Sequence, residues 1–242
     1  MDKILFRCSQ LGRIMASPGK ALPVGAKTYC REVWIEHQYG RKKDVLSKYL
    51  DKGNAMEQEA INSINKLFGK DYQKNETEFS NDYLKGTPDI VSDIVVDTKC
   101  PWELSTFVEA KEKLNSDYYW QVMGYMALTG LKKAQVVSVL LNAPAELITK
   151  EAKKLYFSMD CPDEDNYEYK AKLLQLERNM IYDTLSFEMD NPHYDLVSNS
   201  TKYDIPIEQR VHIHQVERDE EAINHIYKRV DQCREYINTL GL

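Results

Sequence analysis

An α/β (α+β) fold follows from three features of the sequence. The β-branched runs Ile90-Val91 and Ile94-Val95-Val96, and the apolar run Val136 to Leu141, read as strands. Stretches with apolar residues at helical spacing lie around them, from about Asn54 to Phe68 and from about Ser116 to Thr129. At 242 residues the chain can bury a full core, and no low-complexity linker or internal repeat divides it. The expectation is one domain over 1–242, with its core at about 53–141, a helical N-terminal part at 1–52 and strand and helix additions at 142–242.

In the N-terminal part, helical spacing between Tyr29 and Leu50 brings Trp34, Gln38 and Arg41 near one another. The helix from Asn54 carries Ala60, Ile61, Ile64, Leu67 and Phe68 on one stripe, and Gly69 is its stop signal. Ser92-Asp93 is turn-like, so Ile90-Val91 and Ile94-Val95-Val96 form two short antiparallel strands or a strand and a tight bend. Tyr118 to Leu128 is apolar nearly all round, which predicts a buried helix ended by Gly130. Beyond Leu141, Asn142-Ala143-Pro144 breaks the strand, a charged helical pattern runs from about Tyr167 to Glu188, Val211 to Val216 alternates as a half-exposed strand, and Glu220 to Leu240 closes as a helix.

The chemistry concentrates at the predicted hairpin. Gly86-Thr87-Pro88-Asp89 leads into it, and Asp97-Thr98-Lys99 follows an apolar run. Alternate residues of a strand share a face, so Asp97 and Lys99 point together while Thr98 points back and leaves its carbonyl free. A charge at the end of a core strand needs a partner or a metal. Carboxylates and a carbonyl are hard oxygen donors that suit Mg²⁺ or Mn²⁺ better than zinc. Glu57 stands four residues before Ile61, seven before Ile64 and eleven before Phe68, which sets it on the core-facing stripe as a third ligand or as half of a buried salt bridge. Gln121 and Tyr125, one helical turn apart, present an amide and a phenol to one neighbour, as a structural pair or toward a phosphate or a metal-site carboxylate.

Taken in order, Gly53-x-x-x-Glu57-x-x-Ala60, Gly86-x-Pro88-Asp89, Asp97-x-Lys99 and Gln121-x-x-x-Tyr125 resemble the motifs of the PD-(D/E)XK nuclease superfamily, in particular the lambda-exonuclease-like, YqaJ-like and RecB-type members. The likeness covers roughly Gly53 to Leu141. Many relatives carry Glu where this chain has Asp97. The resemblance implies a restriction-endonuclease-like core, a central mixed sheet flanked by helices. It implies Mg²⁺, with Mn²⁺ as an alternative, held by Glu57, Asp89, Asp97 and the Thr98 carbonyl, with Lys99 orienting or deprotonating the attacking water and Gln121 fastening that water or a phosphate. It implies a Mg²⁺-dependent exonuclease acting on linear double-stranded DNA ends in phage or prophage recombination, with a single-strand annealing protein as partner and a ring-shaped homotrimer as assembly. The alternatives are an endonuclease of the same fold and a non-catalytic DNA-binding module.

The opening Arg7 to Arg13 segment resembles the part of such proteins that grips a terminal phosphate, which nominates Ser9 and Arg13; a helix N-cap is the other reading of Ser9. The net charge of −6 runs against DNA binding as a sum, but the acids gather at the hairpin and between Asp160 and Glu168. Arg7, Arg13, Lys20, Lys27, Arg31 and Arg41-Lys42-Lys43 make the N-terminal part locally basic, as a flank of the DNA channel or as a solvated helix face. Cys8, Cys30, Cys100, Cys161 and Cys233 are scattered, so neither a disulfide framework nor an iron–sulfur cluster is expected. His212 and His214 share a strand face and read as a surface pair. No run reaches the length of a membrane span and no secretory signal opens the chain, so a cytoplasmic location in a bacterial host is expected.

Overall fold

The computed structural model describes residues 4–16, 21–43, 48–163, 165–197 and 201–241. Lys20 lies outside the described residues. A four-stranded sheet has the order β4-β5-β6-β7: β4 (Ile90–Val91), β5 (Val95–Lys99), β6 (Lys133–Val139) and β7 (Val211–Glu217). β4 and β5 form the predicted antiparallel hairpin, with Ile90 opposite Val96. β5 and β6 run parallel, a pairing that requires a crossover. That crossover consists of α4 (Leu104–Glu112) and α5 (Ser116–Thr129). A smaller three-stranded sheet, order β1-β3-β2, joins β1 (Phe6–Arg7) to β2 (Phe79–Ser80) and β3 (Leu84–Gly86).

Strand parity sorts the core. Val95 is buried in one cluster with Leu11, Ile14, Val122, Met123 and Met126, while Val96 joins Ala60, Ile61 and Ile64 in another. The sheet is therefore covered by α5 on one face and by α3 (Lys48–Phe68) on the other. α3 begins earlier than the sequence pattern indicates, and Phe68 at its end is exposed rather than on the buried stripe. Gly69, at φ 61°, stops the helix as expected.

α2 (Val24–Tyr39) ends at Gly40 in the left-handed conformation, so the helical spacing read from Tyr29 to Leu50 breaks before Arg41. Ser9 lies within a 3-10 turn, Cys8–Gln10, and the cap position of α1 (Leu11–Met15) falls to Gln10, which corrects the N-cap reading of Ser9. The charged pattern beyond Tyr167 divides into α7 (Tyr167–Met180) and α8 (Thr184–Asp190), because Asp183 caps a new helix by accepting the Ser186 N–H. α6 (Ala145–Ser158) precedes them, and Ile148, Met180 and Phe187 close a separate apolar cluster around Trp102. α9 (Glu220–Asn238) closes the fold, with Ile226, Val230 and Ile237 in the same cluster as α1 and α2. His212 and His214 stand with rings 4.5 Å apart, and a His214 ring nitrogen meets the Ala110 carbonyl at 2.5 Å. Among the described residues no helix is long and apolar enough to cross a membrane.

Candidate active site

β4 pairs with β5 only through Ile90 and Val91, so the edge of β5 beside Thr98 is open to another partner. Asp89 fills it: its Oδ2 accepts the Thr98 N–H at 2.6 Å and the Thr98 hydroxyl at 2.7 Å. Asn75 fixes the approach of that segment, donating its N–H to the Asp89 carbonyl at 2.7 Å and its side-chain amide to the Pro88 carbonyl at 2.9 Å. Within a strand a residue's N–H and C=O point to the same edge, so the Thr98 carbonyl is directed to the Asp89 side.

Asp97 and Lys99 point to the other face, toward α5, and their charged ends meet at 2.7 Å. Gln121, 8 % exposed, ties this pair to the helix. Its amide nitrogen donates to Asp97 Oδ1 and to the Tyr125 hydroxyl, both at 2.9 Å, and its oxygen accepts from Lys99 Nζ at 3.1 Å. α5 holds Gln121 at this height because Asn115 caps its start and Gly130, in the left-handed conformation, ends it. Tyr125 is buried with its hydroxyl on Gln121, and it braces the amide from inside. Gly86 permits that placement, since a Cβ there would stand 2.7 Å from Tyr125 Cε1. The Lys99 ammonium also lies 4.6 Å above the Tyr118 ring.

Burial governs the electrostatics. Asp97 is 1 % exposed, and desolvation lifts its carboxyl to about 6 against the pull of Lys99, with Asp89 and Glu57 adding like-charge repulsion. Burial works against the Lys99 ammonium too, but the combined attraction of Asp97, Asp89 and Tyr118 outweighs it and holds Lys99 protonated, above its ordinary range. Asp97 Oδ2 is buried and accepts no well-directed hydrogen bond, its contact being that ammonium. A buried carboxylate, two further carboxylates within electrostatic reach and a carbonyl on the open strand edge form a donor set whose chemistry suits a hard divalent cation.

The convergence is incomplete. Among the described residues no three His, Cys, Asp or Glu side chains stand close enough together to hold an ion as placed. Glu57 projects from α3, which packs on the opposite face of the sheet from Asp97, and pairs with Lys74 at 3.2 Å. Ser9 is exposed, and the Arg13 guanidinium is engaged by both oxygens of Glu32, at 2.6 and 3.2 Å, above the Tyr29 ring. Arg13 lines a cavity of about 550 Å³ with Arg7, Lys42, Lys43, Lys85 and Glu36. Asp89, Asp97, Lys99 and Gln121 do not line that cavity.

The sequence reading missed Thr98 as a side-chain donor, Lys74 as the partner of Glu57, and Tyr118. Tyr118 had a signal, since it stands three residues before Gln121 and so on the same helix face.

No family profile matches the chain, and no curated protein sequence does so either. Solved structures do. A phage-related exonuclease from Haemophilus somnus 129PT superposes with a TM-score of 0.72 at 26 % identity, over 98 % of this chain and 95 % of that one. An alkaline exonuclease from Laribacter hongkongensis superposes at 0.61 and 14 % identity, over 98 % of this chain and 89 % of that one, and its complex with dAMP at 0.60. The chain has the fold of these exonucleases and resembles the PD-(D/E)XK nucleases of the lambda-exonuclease type.

Proposed function

We propose that the chain is a Mg²⁺-dependent exonuclease that hydrolyses phosphodiester bonds of linear double-stranded DNA from its ends. The carrying observation is the buried Asp97–Lys99–Gln121 cluster beside Asp89, in a chain superposable along nearly its whole length on two exonucleases. The chain acts as one nuclease domain with its catalytic core at about 53–141. Asp89, Asp97, the Thr98 carbonyl and, once released from Lys74, Glu57 would hold the cation. When bound, it supplies a Lewis acid for the scissile phosphate and lowers the pKa of water at neutral pH.

The chain's own groups do the rest. Lys99, protonated and steadied by Asp97, Gln121 and the Tyr118 ring, offers its remaining donor direction to the attacking water or a phosphate oxygen. Gln121 holds the Asp97 carboxylate in one orientation, with Tyr125 behind it. Arg13 and Ser9 grip the terminal phosphate, Arg13 by exchanging Glu32 for it. The biological setting is phage-type recombination, with a single-strand annealing partner and a homotrimeric ring around the duplex.

Purified protein incubated with linear and covalently closed circular duplex, in Mg²⁺ and in EDTA, tests the proposal. Metal-dependent loss of the linear form alone is expected; cutting of the circle identifies an endonuclease, and degradation of neither contradicts a nuclease.

A further inference from the structure

The most deeply buried lysine among the described residues is not the one beside the carboxylates. Lys52 on α3 is 0 % exposed, and its ammonium donates to the carbonyls of Pro101 at 2.9 Å and Trp102 at 3.3 Å, with the Tyr182 ring 5.6 Å away. Those carbonyls lie where the chain leaves β5, one residue beyond Asp97-Thr98-Lys99. A second tie runs the same way, from Cys100 Sγ to the Met56 carbonyl at 3.8 Å, next to Glu57 on α3.

Burying an ammonium is costly, and desolvation pulls the Lys52 pKa down to about 8. A methionine would fill the same space without that cost, so stability alone does not account for a lysine here. Directional bonds do something that apolar contact cannot. Ala60, Ile61 and Ile64 pack against Ile90 and Val96, but apolar packing permits a helix to slide or rotate on a sheet. Hydrogen bonds to two successive carbonyls set the axial position of α3 against the end of β5. One helical turn of slip is about 5.4 Å, enough to weaken the electrostatic interaction that Glu57 now has with Asp97.

We infer that Lys52 is a positioning residue: it locks α3 in register with the exit of β5 so that Glu57, once released from Lys74, reaches the cation held by Asp89 and Asp97. This rests on the metal-site reading above. It assigns Lys52 no contact with DNA or metal.

The test is Mn²⁺ binding to the intact protein without DNA, followed by electron paramagnetic resonance. Wild type, Lys52→Met, Lys52→Arg, Cys100→Ala and Asp97→Ala are compared, with the maximal DNA degradation rate of each at saturating Mg²⁺. Lys52→Met should weaken Mn²⁺ affinity about tenfold, as loss of an outer support does at other metal sites. Its maximal rate at saturating metal should stay within a few-fold of wild type, a split that general destabilisation would not produce. Lys52→Arg, which keeps donors for both carbonyls, should recover part of the affinity. Cys100→Ala should show a weaker loss of the same kind, and it carries the test if Lys52→Met does not fold. Unchanged affinity in Lys52→Met, or in Cys100→Ala should the former not fold, while Asp97→Ala loses binding, overturns the role of Lys52 and leaves the metal site standing. Equal binding by Asp97→Ala and wild type, or none by wild type, overturns the metal-site reading and this inference with it.

Discussion

The Asp89 carboxylate stands in for a missing strand beside Thr98: one oxygen takes the Thr98 N–H at 2.6 Å and the Thr98 hydroxyl at 2.7 Å, where β4 has already ended. Asp89 is thereby fixed to β5, while Asp97 and Lys99 project from the same strand to the face covered by α5. Two carboxylates thus reach the strand end by different routes, one by side-chain parity and one by capping an edge.

Asp97→Asn should flatten the pH dependence of the metal-free protein's stability between about pH 4 and pH 7. The folded carboxyl, at about 6, holds its proton to higher pH than an ordinary Asp near 3.8, so between those values the folded state binds more protons than the unfolded one. Stability from this group is therefore full below about pH 4 and is lost as pH rises through 6. The asparagine has no proton to lose, while the Lys99 ammonium it leaves without its carboxylate costs stability across the whole range. Thermal unfolding in chelator checks it: between pH 4 and pH 7 the wild type should lose stability relative to Asp97→Asn.

Gln121→Ala should lower the maximal rate about 10- to 100-fold, because Asp97 and Lys99 both lose the amide that orients them. Tyr125→Phe removes only the support behind that amide and should cost less. Steady-state rates at saturating Mg²⁺, with circular dichroism as a control for folding, separate the two.

Much of this geometry is readable from spacing. A period of two puts Asp97 and Lys99 on one face, and a helical turn puts Gln121 beside Tyr125, so local periodicity alone assembles most of the cluster. What spacing does not carry is the tertiary pairing of charges. Lys74 on Glu57 and Glu32 on Arg13 come from separate elements with no shared period. The sheet of β1, β2 and β3 escaped because strands of two or three residues show no alternation to read. Gly40 did carry a stop signal for α2, one that helical spacing counted from Tyr29 to Leu50 passes over.

Gly86→Ala should destabilise the fold by about 1–3 kcal/mol, the usual cost of forcing a carbon into a packed site. The added Cβ would meet Tyr125 Cε1 at 2.7 Å and Cys8 Cβ at 3.1 Å, and the Tyr125 ring is held by its hydrogen bond to Gln121. Chemical denaturation measures the loss. Relief by the double substitution Gly86→Ala/Cys8→Gly, with little relief of activity, would assign the residual effect to Tyr125.

The most direct test of the central claim is the release of nucleotides from linear duplex DNA by wild type, Asp97→Ala and Lys99→Ala, with DNA binding measured in parallel. If the end of β5 is the catalytic centre, both variants bind DNA near the wild-type level and lose activity about a hundredfold or more. If either binds DNA and keeps activity within a few-fold of wild type, hydrolysis occurs elsewhere and the assignment is wrong.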